Sequence, residues 1–172
     1  MTKNALICLI FLLSSSPCFS EDKYVLPENS SWTPVKIGTD GSPSEFSGVV
    51  ELKGGFDITW SDHPEYPEYV VAFYPNEPLS GLIPIFTEIK EPKAVTFADP
   101  GSLAAKLVPN KQMLADLKHG SIPSITGEAV IIASNLFSAI DCNHRAYILD
   151  FISAESVTEV SASDPISFNN GC

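Results

Sequence analysis

From Phe46 the chain alternates: Phe46, Gly48, Val50 and Leu52 fall on one side, Ser47, Val49, Glu51 and Lys53 on the other. Alternation resumes with Phe56, Ile58 and Trp60 against Asp57, Thr59 and Ser61. A period of two is the mark of a half-buried strand. Between the two runs stand Gly54 and Gly55, which invite a reversal. A two-residue loop would set the two apolar sets on opposite faces. A three-residue loop places Leu52 opposite Phe56 and aligns them, so the expected element is a hairpin with a glycine in the left-handed conformation.

Further along, Asp62–Glu68 is a loop by its prolines, and Tyr69–Tyr74, apolar on both faces, suits a central strand. Pro75–Ser80 turns the chain; Leu82–Lys90, interrupted at Pro84, and Lys93–Phe97 predict two more strands. The pattern then changes. Asp99 and Pro100 make an N-cap and first helical position. Leu103, Ala104 and Leu107 follow at helical spacing, Pro109 breaks and restarts the helix, and Met113, Leu114 and Leu117 share one face before Gly120 stops it. Strand signals return at Ile125–Ala133, Arg145–Ile152 and Val157–Val160. Strands, one broken helix, then strands, without regular alternation, predict an α+β domain with a mainly antiparallel β sheet. A small OB-like barrel is one concrete form, because its helix also falls between the third and fourth strands. That likeness is topological and carries no single function.

The N-terminus changes the picture. Lys3, an apolar run Ala5–Leu13 and small residues up to Ser20 have the three-part layout of a secretory signal peptide over residues 1–20. The run is about half of what a membrane-spanning helix needs. Residues 21–45 then read as an extended lead-in, and 46–172 as a single β-rich domain. Export also bears on the four cysteines. Cys8 and Cys18 belong to the leader, and Cys142 and Cys172 remain as a pair in an oxidising compartment, secreted or periplasmic, where one disulfide is expected. A loop of that length is worth about 3–4 kcal/mol when closed without strain.

Charge narrows the partners. The net charge of −11 becomes −12 without the leader, nine Lys and Arg facing 21 Asp and Glu. That sign repels phosphate backbones, which speaks against nucleic acid, and it speeds encounter with basic partners. No second apolar stretch is long enough to span a membrane after leader cleavage.

The chemistry is sparse. Cys142 and His144 stand two apart in Asp141-Cys142-Asn143-His144, but a cysteine held in a disulfide is no nucleophile, and residues two apart in that segment are not read as a catalytic pair. His63, His119 and His144 are scattered and no metal-ligand spacing is present. No GxSxG, SxxK or phosphate-binding loop occurs. No catalytic residue, metal or cofactor is therefore assigned. Two surface stretches suit recognition: the acidic, aromatic loop with Asp62, Glu65, Tyr66, Glu68 and Tyr69, and the small-residue loop with Ser121 and Ser124. The expectation is an exported acidic binding protein, an inhibitor or immunity-type protein directed at a basic secreted enzyme. The alternative is an exported hydrolase with dispersed catalytic residues.

Overall fold

The computed structural model describes residues 23–28, 30–39, 42–65, 67–87, 90, 92–141 and 144–164. The expected leader, Tyr66, and Cys142 and Cys172 with their expected disulfide lie outside the described residues. The strands are β1 (Tyr24–Val25), β2 (Thr33–Lys36), β3 (Ser44–Ser61), β4 (Glu68–Pro75), β5 (Ile85–Phe86), β6 (Thr96–Phe97), β7 (Ser124–Asp141) and β8 (His144–Ser163). A 3₁₀ turn, Leu79–Gly81, follows β4, and helices α1 (Pro100–Leu107) and α2 (Lys111–Lys118) lie between β6 and β7. The architecture is mostly β with two helices, an α+β arrangement whose main sheet curls into a half-barrel.

Three long antiparallel strands form its body. β3 pairs with β7 from Ser44↔Ser138 to Ile58↔Ile125, and β7 pairs with β8 from Asp141↔His144 to Ser124↔Ser163. The other edge of β3 is shared: β2 takes Glu45–Ser47, and β4 takes Gly54–Ser61. β6 joins β8 in parallel, with Thr96 opposite Ile148 and Phe97 opposite Leu149. Just before it, Val95 exchanges two backbone bonds with Phe73 of β4, at 2.9 and 3.0 Å. Residues 95–97 thus touch β8 on one side and β4 on the other, and this strap gives the sheet its curl.

The expected hairpin at Gly54-Gly55 does not form. β3 runs straight through both glycines. Phe46, Val50, Leu52, Phe56 and Ile58 are all even-numbered and all buried, so a single period-two phase spans the glycines and needs no reversal. Gly54 is there for closeness: a Cβ would stand 2.0 Å from the Tyr74 carbonyl oxygen, where only glycine lets two backbones meet.

The second half of β8 explains another difference. Phe151, Ala154, Val157 and Val160 pack against the core, a period of three. The pairing shows why. Val130 faces Glu155, Glu128 faces Thr158 and Thr126 faces Ser161, so β8 spends three residues for each two of β7. Ser156 and Glu159 take up the excess with positive φ of 50° and 55°. These are β-bulges, which sharpen twist and bend the strand. What alternation divides into Arg145–Ile152 and Val157–Val160 is one strand, bulged near Ser156 and Glu159 and shifted in register at Ile152 as well.

The helices follow their local signals. Asp99 Oδ1 accepts the Ser102 N–H at 3.0 Å at the start of α1, and Asn110 Oδ1 accepts the Gln112 N–H at 3.0 Å at the start of α2. Leu103, Ala104, Leu107, Leu114 and Leu117 turn inward to meet Phe46, Leu52, Phe56, Ile58, Ile125, Ile131 and Leu149 from the sheet. Burying each such large side chain is worth about 1.5–3 kcal/mol. The segment read as an extended lead-in contributes β1 and β2. β1 pairs with β5 and sets Tyr24 edge-on to Phe46 at 5.0 Å, while Trp32 is buried with its indole N–H donating to the Leu82 carbonyl at 2.9 Å. Among the described residues of Leu82–Lys90, Ile85–Phe86 form strand.

Candidate functional site

Antiparallel pairing decides which loops are neighbours. β3 ends at Ser61, β4 begins at Glu68, β7 begins at Ser124 and β8 ends at Ser163, and the registers place these four termini at one end of the sheet. The 62–67 loop and the turn from α2 into β7 therefore share a rim, although they are some 55 residues apart in the chain.

Asp62, His63, Glu65 and Glu68 are exposed on that rim. His63 Nδ1 accepts the Glu65 N–H at 3.3 Å, which folds the loop back on itself. Beneath it stands an aromatic pair: Trp60 and Tyr69 meet edge-on, centroids 4.9 Å apart at 76°. Tyr69 is half-buried, and its hydroxyl donates to the Leu114 carbonyl at 3.2 Å, tying β4 to α2. The Lys118 ammonium lies 5.0 Å from the Trp60 ring centre, a distance at which the ring face attracts a cation.

Across the rim, α2 ends at Gly120 with φ of 70°, where the Gly120 N–H donates to Leu117 O and the Ser121 N–H to Asp116 O. This C-cap sets Ser121 out in solvent. Ser124 is fully buried, and its hydroxyl donates to the Ser163 carbonyl at 2.9 Å, joining β7 to the end of β8. Of the residues singled out from sequence, Asp62, Glu65, Glu68 and Ser121 are exposed at this end of the sheet. Tyr69 and Ser124 lie underneath and hold that surface in place.

Two buried polar groups lie elsewhere, and neither carried a sequence signal beyond its type. Asp57 is buried in β3, on the face of the strand opposite Phe56 and Ile58. Near it, burial and the Asp57 charge push the Tyr74 phenol up to about 12. At the other end of the sheet Arg145 is buried, its guanidinium 3.8 Å from the centre of the Phe86 ring, and the Phe86 N–H donates to Tyr147 Oη at 3.0 Å. These contacts weld the β1–β5 ribbon to β8. Among the described residues no three His, Cys, Asp or Glu side chains converge as metal ligands, and no helix is long and apolar enough to cross a membrane. The rim offers exposed carboxylates above a packed base, an arrangement suited to binding.

Comparison with known protein families, with curated proteins and with solved structures finds no match for this chain.

Proposed function

We propose that this chain is an exported acidic binding protein that uses the 62–68 rim to engage a basic protein, acting as an inhibitor or immunity-type partner of a secreted enzyme. The observation that carries the reading is the set of three exposed carboxylates, Asp62, Glu65 and Glu68, at the end of the sheet that the Trp60–Tyr69 pair anchors to α2. Charged rims set on-rate and partner choice through long-range attraction, and a rigid base keeps the entropic cost of docking low. In this reading the scaffold is an OB-like barrel whose ring runs β3, β4, residues 95–97, β8, β7 and back to β3, with both helices after the third member. The pairings of β3 with β4 and β7, of β7 with β8 and of the strap with β4 and β8 support it.

The test is a pull-down from the extracytoplasmic fraction with the purified protein as bait. A stoichiometric complex with a basic enzyme is expected, weakening as salt rises and lost in the triple variant Asp62→Asn, Glu65→Gln, Glu68→Gln. Substrate turnover by the purified protein itself, abolished by one point substitution, would replace this reading with that of an exported hydrolase.

A further inference from the structure

The two partners on the shared edge of β3 leave a gap. β2 reaches only to Ser47, and β4 begins its pairing at Gly54. Lys53 turns its carbonyl to this edge, where the Asn76 N–H donates to it at 2.8 Å. In an antiparallel strand alternate residues aim both backbone groups the same way, so Glu51 and Val49 present theirs to the gap. Among the described residues neither has a backbone partner there. Beside this open stretch lies a cleft of about 370 Å³, lined by Val49–Glu51 together with Pro27, Glu28, Ser30, Ser31, Trp32, Gly81 and Leu82. The Trp32 indole N–H donates to the Leu82 carbonyl and ties these two segments together. Glu28 and Glu51 are exposed carboxylates, and among the described residues the lining holds no Lys, Arg or His.

We infer that this cleft is a binding site for an extended peptide segment bearing an arginine or lysine, which adds a short strand to the free edge of β3 between β2 and β4. Main-chain bonds to Val49 and Glu51 supply affinity, as in strand addition generally, and the two carboxylates select a cationic side chain. At about 3.3 Å per residue the gap from Gly48 to Lys53 takes four or so residues. The occupant is a strand because the open groups are backbone groups in strand geometry, and it is cationic because both charged side chains in the cleft are acids. This site is separate from the rim, and neither depends on the other.

The test uses the pentapeptide acetyl-Val-Arg-Val-Arg-Val-amide with the purified protein, read by calorimetry and by backbone amide NMR shifts. The expected result is saturable binding with shifts centred on Gly48–Leu52, lost when both arginines are replaced by glutamate. A peptide N-methylated on alternate residues is expected to bind at least tenfold more weakly, as is the Glu28→Gln, Glu51→Gln variant, whose substitutions sit on exposed side chains and leave the fold intact. The rim triple variant retains peptide binding. The inference is overturned by no saturable binding, by equal affinity for the N-methylated peptide, by shifts centred elsewhere, or by loss of peptide binding in the rim variant.

Discussion

A phenol near a surface loop can face a partner or complete a bond within its own fold, and Tyr69 does the second. Its hydroxyl reaches the Leu114 carbonyl and its ring meets Trp60. Removing only the hydroxyl, Tyr69→Phe, is expected to cost about 0.5–1.5 kcal/mol in urea unfolding. It leaves the rim acids untouched, so partner binding at low temperature should persist. Tyr74 titrates late for another reason: burial and Asp57 hold its phenol near 12. Its folded value lies above the ordinary 10, so between pH 10 and 12 the unfolded chain has released a proton that the folded chain keeps. Stability therefore falls as pH rises through that window, and this contribution is fully present below it. Solvent at the half-buried ring keeps the effect modest. Wild-type stability should decline more steeply than that of Tyr74→Phe from pH 10 to 12, and parallel slopes would contradict the assignment. Sequence shows that these are tyrosines. It does not show what each ring will be pressed against, because both partners come from strands or helices far along the chain.

At the scale of elements, legibility tracks the range of the forces involved. The cap Asp99, the break at Pro109 and the stop at Gly120 are readable because each acts within four residues, whereas the Asn110 cap of α2 emerges only in the structure. Asn110→Ala should lower stability by about 1 kcal/mol, seen as a drop in the thermal midpoint. The strands are harder. Gly54-Gly55 has the look of a turn, yet the even-numbered apolar phase runs unbroken from Phe46 to Ile58, and the glycines serve a neighbour, Tyr74. In β8 the inward residues recur every third position because a register shift at Ile152 and bulges at Ser156 and Glu159 absorb one residue each, which a period of two does not capture. A non-glycine residue at positive φ is strained by about 1 kcal/mol or more, an amount the extra freedom of an unfolded glycine partly offsets. Ser156→Gly and Glu159→Gly should each range from neutral to about 1 kcal/mol more stable, while Ser156→Val loses about 1–3 kcal/mol. Chemical denaturation of the three variants checks the order, and destabilisation by both glycines would mean the bulges are not strained.

For the whole molecule, the decisive contact is short. Val95 holds β4 through two backbone bonds, and two residues later Phe97 pairs with Leu149 of β8. Val95→Pro removes the donor to Phe73 at a buried position and should cost about 3 kcal/mol or more. Hydrogen exchange would show the Phe73 amide among the first to lose protection. Curling also assembles the rim, because it is pairing order, and not sequence distance, that sets the 62–67 loop beside the end of α2. The proposed partner site and the cleft at Val49–Glu51 both arise this way.

The amino-acid order alone determined the signals that act over a few residues: helix starts and stops, the prevalence of strands, the acidic balance and the carboxylates of the 62–68 loop. Tertiary structure decided which strand runs through its glycines, where β8 bulges, which tyrosine is a support, and which loops meet. Those outcomes rest on contacts between residues 20 to 100 positions apart. Such contacts form only when a particular pairing wins on buried area and hydrogen bonding together, and no local pattern records the winner.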